Sequence, residues 1–490
     1  MKQPDTYNPF KRTEEGTFPA LSQNSPLRYL TFSALYFAQG LPEGLLRFGI
    51  PAWLAMNGKS AVEIGSFVAI CILPWSLKIL AAPLMDRFTF LAMGRRRPWI
   101  LFGQLGLGVS FLSMAFIGDP LNNMFMLKLF GFFIGLFAVF QDIAVDGMAI
   151  EILPADQQAR ANGLMWGSKT IGIAASVAIG IAIINAYSFF HAIAFFSLFV
   201  FLILLIPLLL KENPGEKLLP WTKGEASKTT ACIQVQSFRE LFASLIKVFI
   251  LPVSLIMGVA AFSFSIGRGL IDAMLPVFTV QELGWTDADY SQTFAVIKLV
   301  SGILGMFVAG ALIDFFGKVR MMSIYLVLLI LLVVSAFFLR DYWQNQYIFI
   351  GFIGLFYTLL VFTTIAVFAS AMQLCWKRIS ATQFTLYMAI SNLGLASGAA
   401  LLGPLKSFVT WEYVVLAFAV FAGLMLIVIQ FLGFDKHSKA VAGLELNQIK
   451  IDEMAGKLKP VEIIVPSSGC FSARSCRCVT RNKAKRFHKA

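Results

Sequence analysis

Apolar residues run along this chain in long blocks of similar length, with polar residues confined mostly to the gaps between them. A spanning helix requires ~20 mostly apolar residues. A window of that size finds twelve blocks, centred near residues 41, 73, 108, 137, 172, 200, 264, 301, 330, 361, 393 and 422. The pattern predicts an all-α membrane protein. The opening 27 residues are polar and lack a short apolar core followed by a small-residue cleavage site, so the first helix is expected to act as its own targeting signal. The longest interruption is a polar connector containing "KENPGEKLLPWTKGEASKTT". It leads into "SFRELFASLIKVF", where Ser237 and Glu240 form a capping-box pattern and Phe238, Leu241, Phe242 and Leu245 share one helical face. That segment predicts an interfacial helix. The expected organisation is an N-terminal segment (1–27), a six-helix bundle (28–210), a linker (211–246), a second six-helix bundle (247–433) and a basic, disordered tail (434–490).

Composition sharpens this picture. Hydrophobic residues make up 58% of the 490 positions and charged residues only 14%, where soluble proteins carry roughly a quarter. Fourteen lysines and arginines, from Arg87 to Arg378, fall in loops after even-numbered blocks; only Lys59, Arg340 and Lys406 follow odd-numbered ones. The asymmetry places both termini in the cytoplasm. The net charge of +13 then sits beside anionic headgroups, and lipid rather than nucleic acid accounts for it. His191, His437 and His488 are the three histidines and are scattered, so no histidine metal site, cofactor or enzymatic centre is expected. Cys470, Cys476 and Cys478 cluster in the tail without a zinc-binding spacing.

The two halves repeat. Aligning Pro51 with Pro276 sets "FAQGLPEGLLRFGIPAW" against "FSFSIGRGLIDAMLPVF", with Phe37/Phe262, Gly44/Gly269 and Leu45/Leu270 coinciding. Asp86 in "APLMDRFTFLAMGRRRP" lies opposite Asp314 in "AGALIDFFGKVR". The latter stretch resembles the signature loop of the major facilitator superfamily in Gly310, Leu312, Asp314, Gly317 and Arg320; the first-half copy has a longer spacing before Gly94. With "GLPEGL", "PLMDR" followed by "GRRRPW", "QDIAVDG" and "LCWKRISATQF", residues 28 to 433 resemble the AmpG-like muropeptide permeases and their relatives, the acetyl-CoA transporters. The polar tail departs from those AmpG-like proteins that carry extra hydrophobic helices there. The resemblance implies a major facilitator fold of 12 helices in two pseudo-symmetric halves, and a monomeric, proton-driven importer of anhydro-muropeptides in a bacterial inner membrane. Its partners would be an anionic small molecule and protons.

Charged groups at membrane depth are functional candidates because burying them alone costs several kcal/mol. Glu43 and Arg47 are four residues apart in the first block; Arg268 and Asp272 repeat the pair with signs exchanged. In the superfamily these helices face each other across the central pathway, which implies that Glu43 can meet Arg268, and Arg47 can meet Asp272, as the halves rock. Each pair satisfying itself within its own helix is the alternative. Asp142 and Asp146 lie one turn apart in the fourth block and repel unless a cation intervenes. They are candidate proton carriers, or members of a static network with Lys78, Lys169 or Arg95 to Arg97.

Asp86 and Asp314 end their helices, where the macrodipole disfavours an anion. They are expected, with Arg95, Arg96 and Arg320, to form a latch compensated by an arginine or a neighbouring helix N-terminus. Gln39, Trp166, Lys169 and Gln373 are candidate substrate contacts, together with Gln141, Asn162, Trp376, Gln383 and Asn392. Arg47, Lys78, Lys169, Arg268 and Lys298 are cations that suit phosphates or carboxylates. Muropeptide and acetyl-CoA are both bulky amphiphilic anions, so an acetyl-CoA carrier stays open, as does a ligand sensor that transports nothing.

Overall fold

The computed structural model describes residues 19–59, 61–227, 230–231, 233–235, 237–285 and 287–454. Cys232 and the tail cysteines lie outside them. Among the described residues the architecture is helical, with a single isolated bridge between Ala20 and Lys211. Helices begin where short polar side chains satisfy free backbone N–H groups. Asn24 accepts from Leu27, Asn123 from Met126, Ser188 from His191, Ser237 from Glu240, and Asn345 from both Tyr347 and Ile348.

In chain order the N-terminal half holds α1 (Ser25–Gly44), α2 (Ile50–Met56), α3 (Ala61–Ser76), α4 (Lys78–Arg87), α5 (Arg97–Ala115), α6 (Met124–Ile152), α7 (Gln158–Ala186) and α8 (Phe189–Leu209). After the connecting helix α9 (Phe238–Phe249) come α10 (Pro252–Gln281), α11 (Asp287–Leu304), α12 (Gly310–Phe316), α13 (Lys318–Phe338), α14 (Gln346–Leu374), α15 (Ser380–Phe408), α16 (Trp411–Ile429) and α17 (Phe434–Met454). Among the described residues, eleven helical segments are long and apolar enough to cross a membrane. The first predicted block is also helical, running from α1 through a π-helical turn at Leu45–Gly49 into α2. It carries Arg28, Gln39, Glu43 and Arg47 and is not among the eleven.

The repeat read from sequence has a packing counterpart. In the first half α1 packs on α7, α3 on α6, and α5 on α6 and α8; in the second, α10 packs on α15, α11 on α14, and α13 on α14 and α16. The connection after the second helix turns on a glycine in both halves, Gly94 at φ 100° and Gly317 at φ 93°, a backbone region that disfavours side chains. Glycines also set the closest helix approaches. A Cβ on Gly40 would lie 2.3 Å from the Lys169 carbonyl oxygen, and one on Gly269 only 2.0 Å from that of Leu395.

The halves meet on one side. There α7 packs against α11, α12 and α14, while α4 and α6 pack against α15. This side also holds the linker, tied to the N-terminal segment by Leu21 N–H donating to Lys211 O at 2.8 Å; it is called the linker face below. The expectation of disorder from residue 434 is corrected for Phe434–Met454, which form α17. Val441 and Leu444 pack on the cluster of Val235, Leu241, Val248, Trp376 and Ile379, and His437 Nε2 lies 2.8 Å from Leu374 O. A mean composition cannot register that these few apolar residues share one helical face. Residues 455–490 lie outside the described residues.

Candidate functional site

In the middle of the first half Glu43 is held twice. Arg47 Nη1 donates to Oε1 at 2.7 Å and Lys169 Nζ, from α7, lies 2.8 Å from Oε2. The Lys169 ammonium also sits 4.6 Å from the centroid of Trp75, a cation–π contact that helps offset its desolvation. In the second half Arg268 Nε lies 3.3 Å from Asp272 Oδ2, and Tyr357 OH donates to Asp272 Oδ1 at 2.5 Å. Both i,i+4 pairs are therefore closed within their own helices. Among the described residues no ion pair joins Glu43 to Arg268 or Arg47 to Asp272.

One layer nearer the linker face, Lys78 of α4 is ion-paired with Asp142 and lies 3.7 Å from Asp146 Oδ2. All three side chains are buried. Tyr36 OH donates to Asp146 Oδ1 at 2.5 Å, and Lys78 Nζ reaches Met388 Sδ of the other half at 3.1 Å. Two carboxylates share one ammonium in a dry site, so the cluster is neutral only when it also holds a proton. Alongside runs an amide chain in which Gln39 Nε2 lies 3.4 Å from Gln141 Oε1 and Gln141 donates to Gln104 Oε1 at 2.5 Å.

At the linker face Asp86 is fully buried. Its Oδ1 accepts from Arg96 and, at 3.3 Å, from Arg95; its Oδ2 accepts from Thr382 N–H at 2.8 Å and Thr382 Oγ1 at 2.7 Å. Thr382 lies in the first turn of α15, where free N–H groups and the macrodipole favour an anion. Glu151 joins the same cluster, accepting from Arg95 Nη1 at 3.0 Å, Arg96 Nε at 2.8 Å and Ser380 Oγ at 2.6 Å. Arg95 in turn donates to Lys377 O at 2.6 Å and to Arg378 O. The pseudo-symmetric position repeats the geometry more loosely: Asp314 Oδ2 accepts from Arg160 N–H at 3.2 Å, in the first turn of α7. Lys318 Nζ crosses to the other half at Ala155 O, at 2.9 Å, and donates within its own half to Gln373 Oε1 at 2.7 Å.

Three residues are placed by contacts that spacing does not give. Gln373 lies in the last turn of α14 and belongs to the linker-face cluster, because residue spacing gives angle around a helix but not depth across the membrane. Arg320 makes no ion pair among the described residues and lines, with Asp314, Asp156, Lys318 and Phe434, a cleft of about 420 Å³ at the linker face. Trp166 stacks on Phe368 of the other half at 5.6 Å and meets Tyr36 edge-on, which commits its ring to packing. Sequence reasoning did not single out Glu151, Thr382, Lys318 or Glu212. Glu151 shares the charge of Asp86 and Asp146 but stands outside any repeated motif, so only contact reveals it.

Glu212, in the linker, ties that segment to the same cluster. Its Oε2 accepts from Arg96 N–H at 2.9 Å and Arg97 N–H at 3.2 Å, while the Arg97 side chain donates to Pro207, Leu208, Lys217 and Leu218 carbonyls. Burial, then the charges of Glu216 and Glu151, push the Glu212 carboxyl up to about 8.

This architecture has a counterpart among known families: a family model described as Major Facilitator Superfamily matches residues 32–394 and 257–461. The chain belongs to the major facilitator superfamily. It is 23% identical over 366 residues to the anhydromuropeptide permease of Escherichia coli K12, covering 74% of this chain and 70% of that protein. It is 24% identical over 398 residues to a putative transporter AmpG 4 of Rickettsia conorii, covering 77% and 90%. The crystal structure of the superfamily transporter FucP in its outward conformation matches with a TM-score of 0.63 at 13% identity, covering 84% of this chain and 99% of that one. The human organic anion transporter TETRAN matches with a TM-score of 0.55 at 16% identity, covering 85% and 100%. This major facilitator chain is an integral multi-pass membrane protein and a transporter of small molecules rather than an enzyme.

Proposed function

We propose that the protein imports anhydro-muropeptides, GlcNAc-anhydroMurNAc-peptides, across a bacterial inner membrane by proton-coupled alternating access. The substrate rests on the permease relatives. The coupling rests on the buried Lys78–Asp142–Asp146 cluster, which binds one proton to become neutral and touches the opposite half through Met388. Proton uptake there removes a charge from a site that must be stripped of water when the halves close over it. Twelve spans, cytoplasmic termini, a single-chain unit and bundles at 28–210 and 247–433 complete the scheme. The clusters around Asp86 and Asp314 act as latches that hold the linker face shut; on opening, Glu43 and Arg47 exchange their partners for Arg268 and Asp272.

The deciding experiment is uptake into proteoliposomes under an inward proton gradient, with labelled anhydro-muropeptide and labelled acetyl-CoA offered in parallel. The expected result is muropeptide accumulation that a protonophore abolishes. Accumulation of acetyl-CoA overturns the substrate. Tight binding of either without movement overturns transport.

A further inference from the structure

Of the five cations available to an anionic substrate, four have a carboxylate at ion-pair distance. Lys78 has Asp142, Lys169 and Arg47 share Glu43, and Arg268 has Asp272. Lys298 has no carboxylate at ion-pair distance among the described residues. Its ammonium lies over aromatic faces, 3.9 Å from the Tyr357 centroid and 4.9 Å from that of Phe294. The Tyr357 ring beneath it also holds Asp272 through its hydroxyl, and Arg268 takes the other Asp272 oxygen. Each Asp272 oxygen is therefore already engaged, and Arg268, Asp272 and Lys298 together carry one excess positive charge.

The position is turned away from lipid. Val296 and Val300 are exposed at 60% and 48%; each stands two residues from Lys298 and so about 200° around the helix. On α10, Arg268 stands nine residues from exposed Val259, about 180° around. An ammonium that has lost water to aromatic rings keeps donors to spare, and a carboxylate meets them with short charge-assisted bonds.

We infer that Lys298, with Arg268 beside it, anchors a carboxylate on the peptide arm of the substrate in the C-terminal half of the pathway. The inference rests on the muropeptide reading, because an anhydro-disaccharide amide-linked to its peptide carries its free carboxylates on the peptide. In the corresponding N-terminal layer both Arg47 and Lys169 have Glu43 at ion-pair distance, so neither cation lacks a carboxylate as Lys298 does.

The test is equilibrium binding to the purified full-length protein, using one anhydro-muropeptide with free carboxylates and the same compound with its carboxylates converted to amides. The wild-type protein should prefer the free acid by about 10- to 100-fold. K298Q should lose that preference by weakening the acid alone, and K298R should keep it. Y357F, which retains the ring under the ammonium, should keep the preference as well. Equal weakening of both ligands in K298Q, or an unchanged preference, overturns the anchor while leaving the muropeptide reading intact. Failure of the wild-type protein to bind either compound overturns both.

Discussion

The substitution Asp86→Asn isolates what one buried carboxylate contributes to closure of the linker face. Asp86 makes two hydrogen bonds that exist only when the halves meet, from Thr382 N–H at 2.8 Å and Thr382 Oγ1 at 2.7 Å. Bonds to an ionised acceptor contribute about 1.5–3 kcal/mol each, and neutral ones about half as much. Asparagine keeps the shape and loses the charge, so the closed arrangement should weaken by about 1.5–3 kcal/mol, a shift of roughly 10- to 150-fold in the closed-to-open ratio. Glu151 still pairs with both Arg95 and Arg96, so neither guanidinium is left without a carboxylate contact. Spin labels at Asp156 and Phe316, exposed and in opposite halves on this face, report the change by pulsed electron resonance. The wild-type distribution should be dominated by a short distance, and Asp86→Asn should raise a longer component. An identical distribution in a variant that folds and binds normally refutes the latch.

Asp142→Asn and Asp146→Asn should each abolish uphill accumulation while leaving counterflow exchange; if both single variants still concentrate substrate, coupling lies outside this cluster. Glu43→Gln leaves Lys169 buried without its anion and should lower stability by about 3–5 kcal/mol. Asp272→Asn, in a pair about one-third exposed at 32% and 29%, should cost no more than about 1 kcal/mol. Equal losses in thermal stability would show that burial does not set the difference. The carboxyl of Glu212, raised to about 8, holds its proton in the docked linker at pH values where an undocked linker has lost it. Docking is therefore strongest below the ordinary glutamate range and weakens as pH rises towards 8, with no further loss from this group above that. Hydrogen-exchange protection factors across residues 207–218, with the intrinsic pH dependence of exchange divided out, should fall over that interval in the wild-type protein. They should stay constant in Glu212→Gln; a fall that survives the substitution assigns the titration to another group.

The apolar blocks, the polar connector and the charged loops are legible in sequence because membrane insertion acts on segments of about 20 residues, independently of their neighbours. The internal repeat is legible for a similar reason: Gly94 and Gly317 serve local turns, and local needs leave matching residues at matching positions. Partner choice has no such local signature. Glu43 takes Lys169 from α7, Asp86 takes Thr382 from the other half, and Lys78 inserts between two carboxylates four residues apart. Helical spacing gives each side chain an angle but neither a depth nor a neighbour, which is why the sequence does not place Gln373 at the linker face or single out Glu151. The sequence by itself determined a polytopic, two-fold repeated membrane helix bundle and the charges inside it. Only the tertiary structure decided which side chain meets which, because those choices depend on contacts up to 310 residues apart along the chain, many of them made where the two halves close.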